Sequence, residues 1–457
     1  MPETWGLDDA FLLGLPVVAP HELFFSITDR RGVIEQANSV FERLSRYDRT
    51  ELIGAPHNLI RHDMMPAGVF RIMWDLLAAG RPVAAYVTNR SRGGRPYSVF
   101  ATITPVGERM LSVRTAPCED GLRSVAESIY REVRPLERAA SARGMSRRAV
   151  GELGAGELIT RLRAAGFASY EDFVRHAVPA EGAARVLAAT GPATGSTGTG
   201  VLGTLSTAVR GIDGQLAGLW HTLERHQALA DQVGDGAARV REAVAGLHDA
   251  TRAMADASAW VCDRAPVLER SARAMTLRAA AVGDRITALV DELERVRTWL
   301  LDLRFRIALA RLHNDMVRLF LAELAGGAGA GDSRAALPLL CAALDEDVTA
   351  LTEDMAAVSV LLTELRDHVD RGSGELRELR RGLASWRLLV PRYGVTRELD
   401  GGIEPVDRHL DLSHEQLLTL AALARQCAAD AEPMDPAALR AAIGTIRRTV
   451  QAGLAEE

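Results

Sequence analysis

The string PHNLIRHDMMP, Pro56–Pro66, brings His57, Arg61 and His62 into one short stretch of chain. A guanidinium pairs with phosphate or carboxylate oxygens, and an imidazole donates a hydrogen bond or ligates a haem iron. No other segment of the 457 residues concentrates chemistry in this way. His313-Asn314-Asp315 falls in a helical pattern, but the Gly-rich ATP-binding segments that a phosphoacceptor histidine needs do not follow it. His221 and His226 are five apart, so they do not share a helical face and make a poor metal pair. Gly151–Gly156 (GELGAG) lacks the preceding strand of a nucleotide loop, and no GxxxxGK[ST], HExxH or GxSxG occurs. Cys118, Cys262, Cys341 and Cys427 are widely scattered and form no CxxC. The chain reads as a protein without a catalytic motif, not an enzyme.

The elements that must position the cluster are legible around it. Phe24, Phe25 and Ile27 make a short strand, Asp29–Gly32 a turn with Gly32 free to take positive φ, and Val33 and Ile34 the returning strand. Asn38, Phe41 and Leu44 have helical spacing, and Thr50 and Gly54 read as a helix start and stop. A helix is expected over Ala67–Ala79, with Val69, Met73, Leu76 and Leu77 inward and Gly80 as its break. Pro82–Arg90, Pro96–Pro105 and Arg109–Thr115 are β-rich.

This order of strands and short helices resembles the PAS fold, and more narrowly the PAS domain of bacterial aerotaxis receptors. The match is carried by Thr28-Asp29, Gly32, Ala37-Asn38, Phe41, Glu51–Gly54, Pro56–Asn58, Arg61-His62, Pro66, Phe70, Met73-Trp74, Gly80–Pro82, Asn89-Arg90, Gly94, Tyr97, Thr104-Pro105 and Ser112–Thr115. The resemblance implies a pocket holding FAD, whose redox state is the signal. It carries Arg61 and His62 over as flavin-pocket residues, and Asn38, Trp74, Asn89 and Tyr97 as residues that line or support the cavity. Haem is the lesser alternative, with His57 or His62 as axial ligand. Two positions depart from the family: Asp63-Met64 stands where Pro-Asp is usual, and Val83 where the family has an aromatic pocket wall.

The rest of the chain is different in character. Hydrophobic residues make up 47% but aromatics only 5%, and Ala, Leu and Arg dominate after residue 120, a composition suited to long helices. Ser124–Arg134 reads as an amphipathic helix that Pro135 ends or kinks. Thr190–Gly203 is a Gly/Thr-rich linker. Ile286 to Ile307 and Leu337 to Val369 then carry apolar residues at alternating three- and four-residue spacing, separated by the Gly-rich break Gly326–Gly331. That pattern predicts an antiparallel hairpin, or a three- or four-helix bundle because Pro391 and Gly401-Gly402 interrupt the return arm. The arms resemble a remote chemoreceptor-like hairpin without its tip motif or methylation sites.

The expected architecture is therefore an α+β PAS domain, a five-stranded antiparallel sheet with short helices, followed by a long all-α hairpin or bundle. Its expected parts are an N-terminal segment (1–20), the PAS domain (21–118), connecting helices (119–189), the linker (190–203) and the helical domain (204–457). A net charge of −6 without a basic block argues against nucleic acid. Phe11–Val18 is too short and broken for a signal peptide, and no run reaches membrane-span length, which predicts a cytoplasmic protein. The expected function is a redox- or oxygen-related PAS sensor coupled to a helical output domain that binds protein partners and forms a homodimer. The alternative is a non-sensing PAS/helical scaffold.

Overall fold

The computed structural model describes residues 17–188, 201–326, 330–430 and 436–455. Strands β1 (Phe24–Asp29), β2 (Ile34–Ala37), β3 (Val83–Arg90), β4 (Pro96–Val106) and β5 (Arg109–Thr115) form one antiparallel sheet in the order β2-β1-β5-β4-β3. The β1–β2 turn is locked by Asp29, whose Oδ1 accepts from the N–H groups of Arg31 and Val33, both at 2.8 Å. Gly32 closes it at φ +78°, and a Cβ there would come within 3.1 Å of the Trp74 ring. Between β2 and β3 run α1 (Ser39–Ser45), α2 (Arg49–Leu52), a 3₁₀ turn (His57–Ile60) and α3 (Ala67–Ala78).

Cross-strand register divides the sheet into two faces. Phe24 lies opposite Arg114, Arg114 opposite Ala101, and Asn89 opposite Tyr97, so these share the face turned to α1–α3. Phe25, Tyr86, Phe100 and Thr104 occupy the other face. Both faces are buried almost throughout, which is why the strands show little polar alternation.

Three helices follow: α4 (Asp120–Ala142), α5 (Arg147–Ala164) and α6 (Tyr170–Ala188). The expected break at Pro135 does not occur, because α4 continues through it to Ala142. The residues beyond the proline hold it in place. Ala140 is buried, and the fully buried Glu137 accepts from the N–H groups of Ala67 and Gly68 at 2.8 Å each. A carboxylate at the first turn of α3 satisfies donors that the helix leaves open and opposes the positive end of its dipole. The GELGAG segment lies in α5, where Gly154 lets that helix approach α3: a Cβ on Gly68 would meet the Gly154 backbone at 2.2 Å. Glu181 of α6 accepts from the N–H groups of Cys118 and Glu119, at 2.7 and 3.2 Å, where β5 passes into α4.

Four further helices are α7 (Val201–Ala259), α8 (Pro266–Gly326), α9 (Ala330–Arg392) and α10 (Thr396–Asp430), and α11 (Ala437–Ala455) ends the described chain. Most of the expected linker, 190–200, and the centre of the Gly-rich break, 327–329, lie outside the described residues. Two compact units result. One comprises the described residues of Met1–Leu219, Arg304–Leu351 and Asp435–Glu457, the other those of Trp220–Leu303 and Thr352–Met434.

In the first unit the outward sheet face is covered by α6 and α8. Phe320 meets Phe25 edge-on at 4.8 Å between centroids, and the Tyr170 hydroxyl donates to the Ala84 carbonyl at 2.9 Å. Buried His313 lies 2.7 Å from Asp347 and 3.4 Å from the Thr104 hydroxyl, which joins α8, α9 and β4.

The second unit is an antiparallel four-helix bundle. Arg297 pairs with Asp231 between α8 and α7, and Arg285 with Glu375 between α8 and α9. Arg380 pairs with Asp411 between α9 and α10, and Arg239 reaches Gln416 between α7 and α10. Trp386 is fully buried and donates to the Leu268 carbonyl at 3.1 Å. The apolar spacing read from the sequence is the core: Val358, Leu362, Leu365 and Val369 are buried, while Met355 is half-exposed. Gly401-Gly402 do not interrupt the return arm. They lie inside α10, held by buried Leu399 on one side and Val406 and Leu410 on the other.

Two substitutions test this packing. Gly154→Ala should lower stability by about 2 kcal/mol, since the new methyl overlaps the Glu137 carboxylate and crowds the Gly68 N–H. Trp386→Ala should cost about 3 kcal/mol in the bundle. Denaturant titration of each variant measures the loss, and a midpoint unchanged from the parent refutes the corresponding contact.

Candidate functional site

β5 runs Arg109-Met-Leu-Ser-Val-Arg-Thr115, and its inward positions include Ser112 and Arg114. Placing a guanidinium on a buried strand face requires partners. Arg114 is 4% exposed, donates to the Ser26 hydroxyl at 3.0 Å, lies 2.7 Å from His57 Nε2, and stacks 4.7 Å from the Phe24 ring centroid. Arginine can only donate, so His57 Nε2 is the acceptor and the imidazole proton sits on Nδ1. Burial holds the proton affinity of His57 well below its ordinary value, and the charges of Arg114 and Arg61 depress it further. Burial also lowers Arg114 to about 10, which leaves it charged at neutral pH.

Around this pair lie aromatic walls and unspent donors. Phe41 packs 4.3 Å from Phe24 and 5.5 Å from the His57 ring. Tyr97 lies 6.5 Å from Phe24. The Tyr97 hydroxyl, Asn89 Nδ2 and Arg61 Nε are buried and find no hydrogen-bond partner among the described residues. Burial raises the Tyr97 phenol well above its ordinary value, so it remains protonated. Arg61 follows the 3₁₀ turn, bridges β3 at Asn89, and lays its guanidinium 3.4 Å from the Phe70 centroid.

The six residues singled out from the sequence occupy different places. Arg61 and Tyr97 both neighbour Asn89, Arg61 through a backbone bridge and Tyr97 across the β3–β4 register. Asn38 caps α1: its Oδ1 accepts from Phe41 and Phe25 N–H, and its Nδ2 donates to the Leu23 carbonyl, so its bonding capacity is spent on the chain. His62 accepts from the Met64 N–H through Nδ1 at 3.2 Å. Trp74 is exposed over 38% of its surface and covers Gly32. Arg114 and Ser26 were not among those six. The available signal was an arginine two positions from Ser112, on the same face of β5.

The buried neutral imidazole has a consequence for stability. Above pH 6.5, its ordinary value, His57 is neutral in both folded and unfolded chains. As pH falls below that, the unfolded chain takes up a proton that the folded chain refuses, so stability is lost with falling pH. The wild type should lose up to about 1.4 kcal/mol per pH unit more than His57→Gln in this window. Denaturant titrations from pH 7.5 to 5.5 compare the two slopes, and parallel slopes would place His57 in solvent.

No family model matches the chain. Residues of this chain are 34% identical over 119 positions to the aerotaxis receptor of Escherichia coli (strain K12), covering 25% of this chain and 23% of that protein. A nitrogen fixation regulatory protein of Klebsiella pneumoniae is 32% identical over 81 residues, covering 18% of this chain and 16% of its own length. The matched stretch thus spans less than a quarter of either relative. Among solved structures, a Rhodobacter sphaeroides LOV protein aligns at 16% identity with TM-score 0.21, covering 35% of this chain and 97% of its own. No helix among the described residues is long and apolar enough to cross a membrane. The sheet order, the intervening short helices and the aerotaxis-receptor likeness agree: the N-terminal region is a PAS domain, followed by a long helical region.

Proposed function

We propose that this protein is a PAS-type signal-transduction sensor whose interior pocket takes a flavin and whose helical region delivers the output to protein partners. The observation that carries the reading is the set of three buried, unpartnered polar atoms on Arg61, Asn89 and Tyr97. A buried donor without an acceptor is costly, so a ligand that supplies acceptors is the economical explanation. An isoalloxazine edge carries carbonyl oxygens and ring nitrogens, which suits these donors. Phe24 and Phe41 supply apolar surface beside them.

In this reading Arg61, Asn89 and Tyr97 bind, while Asn38, His62 and Trp74 hold the walls. FAD would supply a redox couple at this position. Haem is less well supported, because Arg114 occupies His57 Nε2. The segment after Arg61 offers a route outward. Arg134 Nε donates to the Asp63 carbonyl at 2.8 Å, and Glu137 caps the first turn of α3. A shift of Arg61 on ligand change would therefore bear on α4. The exposed Trp260, at the turn between α7 and α8, is a candidate contact for a protein partner or a second copy of the chain.

The absorbance spectrum of the purified chain, with and without added FAD, tests the cofactor. Flavin bands that survive gel filtration are expected, and Arg61→Ala should lose them. A chain that stays colourless after FAD addition favours a scaffold over a flavin sensor, and flavin content unchanged in Arg61→Ala removes that residue from the site.

A further inference from the structure

We propose that the PAS interior is an anion site: the molecule it takes presents a negatively charged oxygen group to Arg114. This rests on reading the domain as a ligand-binding sensor, and it names the charge of what is read. The first ground is an imbalance of charge. Arg114 and Arg61 both approach His57, and neither forms an ion pair with any carboxylate among the described residues. Buried charges are normally paired, and the inward positions of β1, β3, β4 and β5 carry no Asp or Glu.

The second ground is an imbalance of donors. Asn89, 2% exposed, and Tyr97, 4% exposed, each keep an unpartnered donor on the same face. The acceptors that the chain offers Arg114 are both neutral: a serine hydroxyl and an imidazole nitrogen. Charge-assisted bonds to an anionic oxygen are stronger than either. An incoming anion would therefore compete with His57 for the guanidinium and offset the arginine charges that add to burial in depressing the proton affinity of the imidazole. A flavin phosphate and a small organic carboxylate share this chemistry.

Thermal melting of the full chain with two matched pairs separates them. Flavin mononucleotide and riboflavin differ by a phosphate, and nicotinate and nicotinamide by a carboxylate charge. The charged member of at least one pair should stabilise the chain at concentrations roughly tenfold lower than its neutral partner. Arg114→Met should abolish that preference and Arg114→Lys retain it. A preference confined to the flavin pair identifies phosphate, and one confined to the nicotinate pair a carboxylate. Should Arg114→Met fail to fold, NMR titration of His57 in the wild type gives a second readout. The preferred anion should raise its proton affinity, whereas no rise on binding rejects the site. Equal stabilisation by both members of each pair, or a preference that survives in Arg114→Met, overturns the anion assignment but leaves a ligand sensor standing. No stabilisation by any probe overturns the anion assignment, and the absorbance spectrum then decides the sensor reading on its own.

Discussion

A five-stranded sheet with two apolar faces must be covered twice, and most of the first unit follows from that requirement. The inward face is covered locally by α1, α2, the 3₁₀ turn and α3, all contained within β2–β3. The outward face has no local cover. It recruits Phe173 of α6 against Tyr86 and Phe320 of α8 against Phe25, from about 90 to 300 residues away. Burying Phe25, Tyr86 and Phe100 offsets the chain entropy lost in bringing such distant segments together. The PAS domain and its flanking helices are for this reason one packed body.

Polar groups drawn into that body have been given particular work. Glu137, Glu181 and His313 are buried, and each ties a helix to a strand, a turn or a helix end. Breaking such a contact strands the remaining partner away from water, so these positions set geometry more stringently than apolar packing does. Glu137 is the clearest case. Its carboxylate serves the two N–H groups at the start of α3, five residues beyond His62. The close approach of Gly68 and Gly154 brings α5 onto the same turn. Helices α3, α4 and α5 therefore meet at one turn, with no side-chain volume between Gly68 and Gly154 to absorb a displacement.

The inward face of the sheet departs from this pattern. The Tyr97 hydroxyl and Asn89 Nδ2 there, and Arg61 Nε beside them, find no partner among the described residues, as is also true of Gln36, Tyr86 and Asn314 elsewhere in the unit. Arg114 stands on that face without a counter-charge among the described residues. Consistency across levels normally marks a well-specified fold, and its local failure marks a functional site. The four-helix bundle of the second unit is conventional by comparison, with an apolar seam inside and Arg–carboxylate pairs along its exposed edges.

The sequence by itself determined the strands, the short helices and the helical period of the long arms. These depend on residues close in the chain, such as Gly32 at a tight turn, Asn38 at a helix start and leucines at three- and four-residue spacing. Arg61, Asn89 and Tyr97 could be named because the family resemblance follows sequence order. Only the tertiary structure decided that Asn38 caps α1, that Trp74 covers Gly32, that Arg114 lies buried on the inward face of the sheet, and that α4 runs through Pro135. It also turned GELGAG from a weak nucleotide loop into a helix contact. Those outcomes depend on which face a residue presents and on which distant segment covers it. No local pattern encodes the partner, because a carboxylate at 137 and an N–H at 68 meet only after both helices have packed.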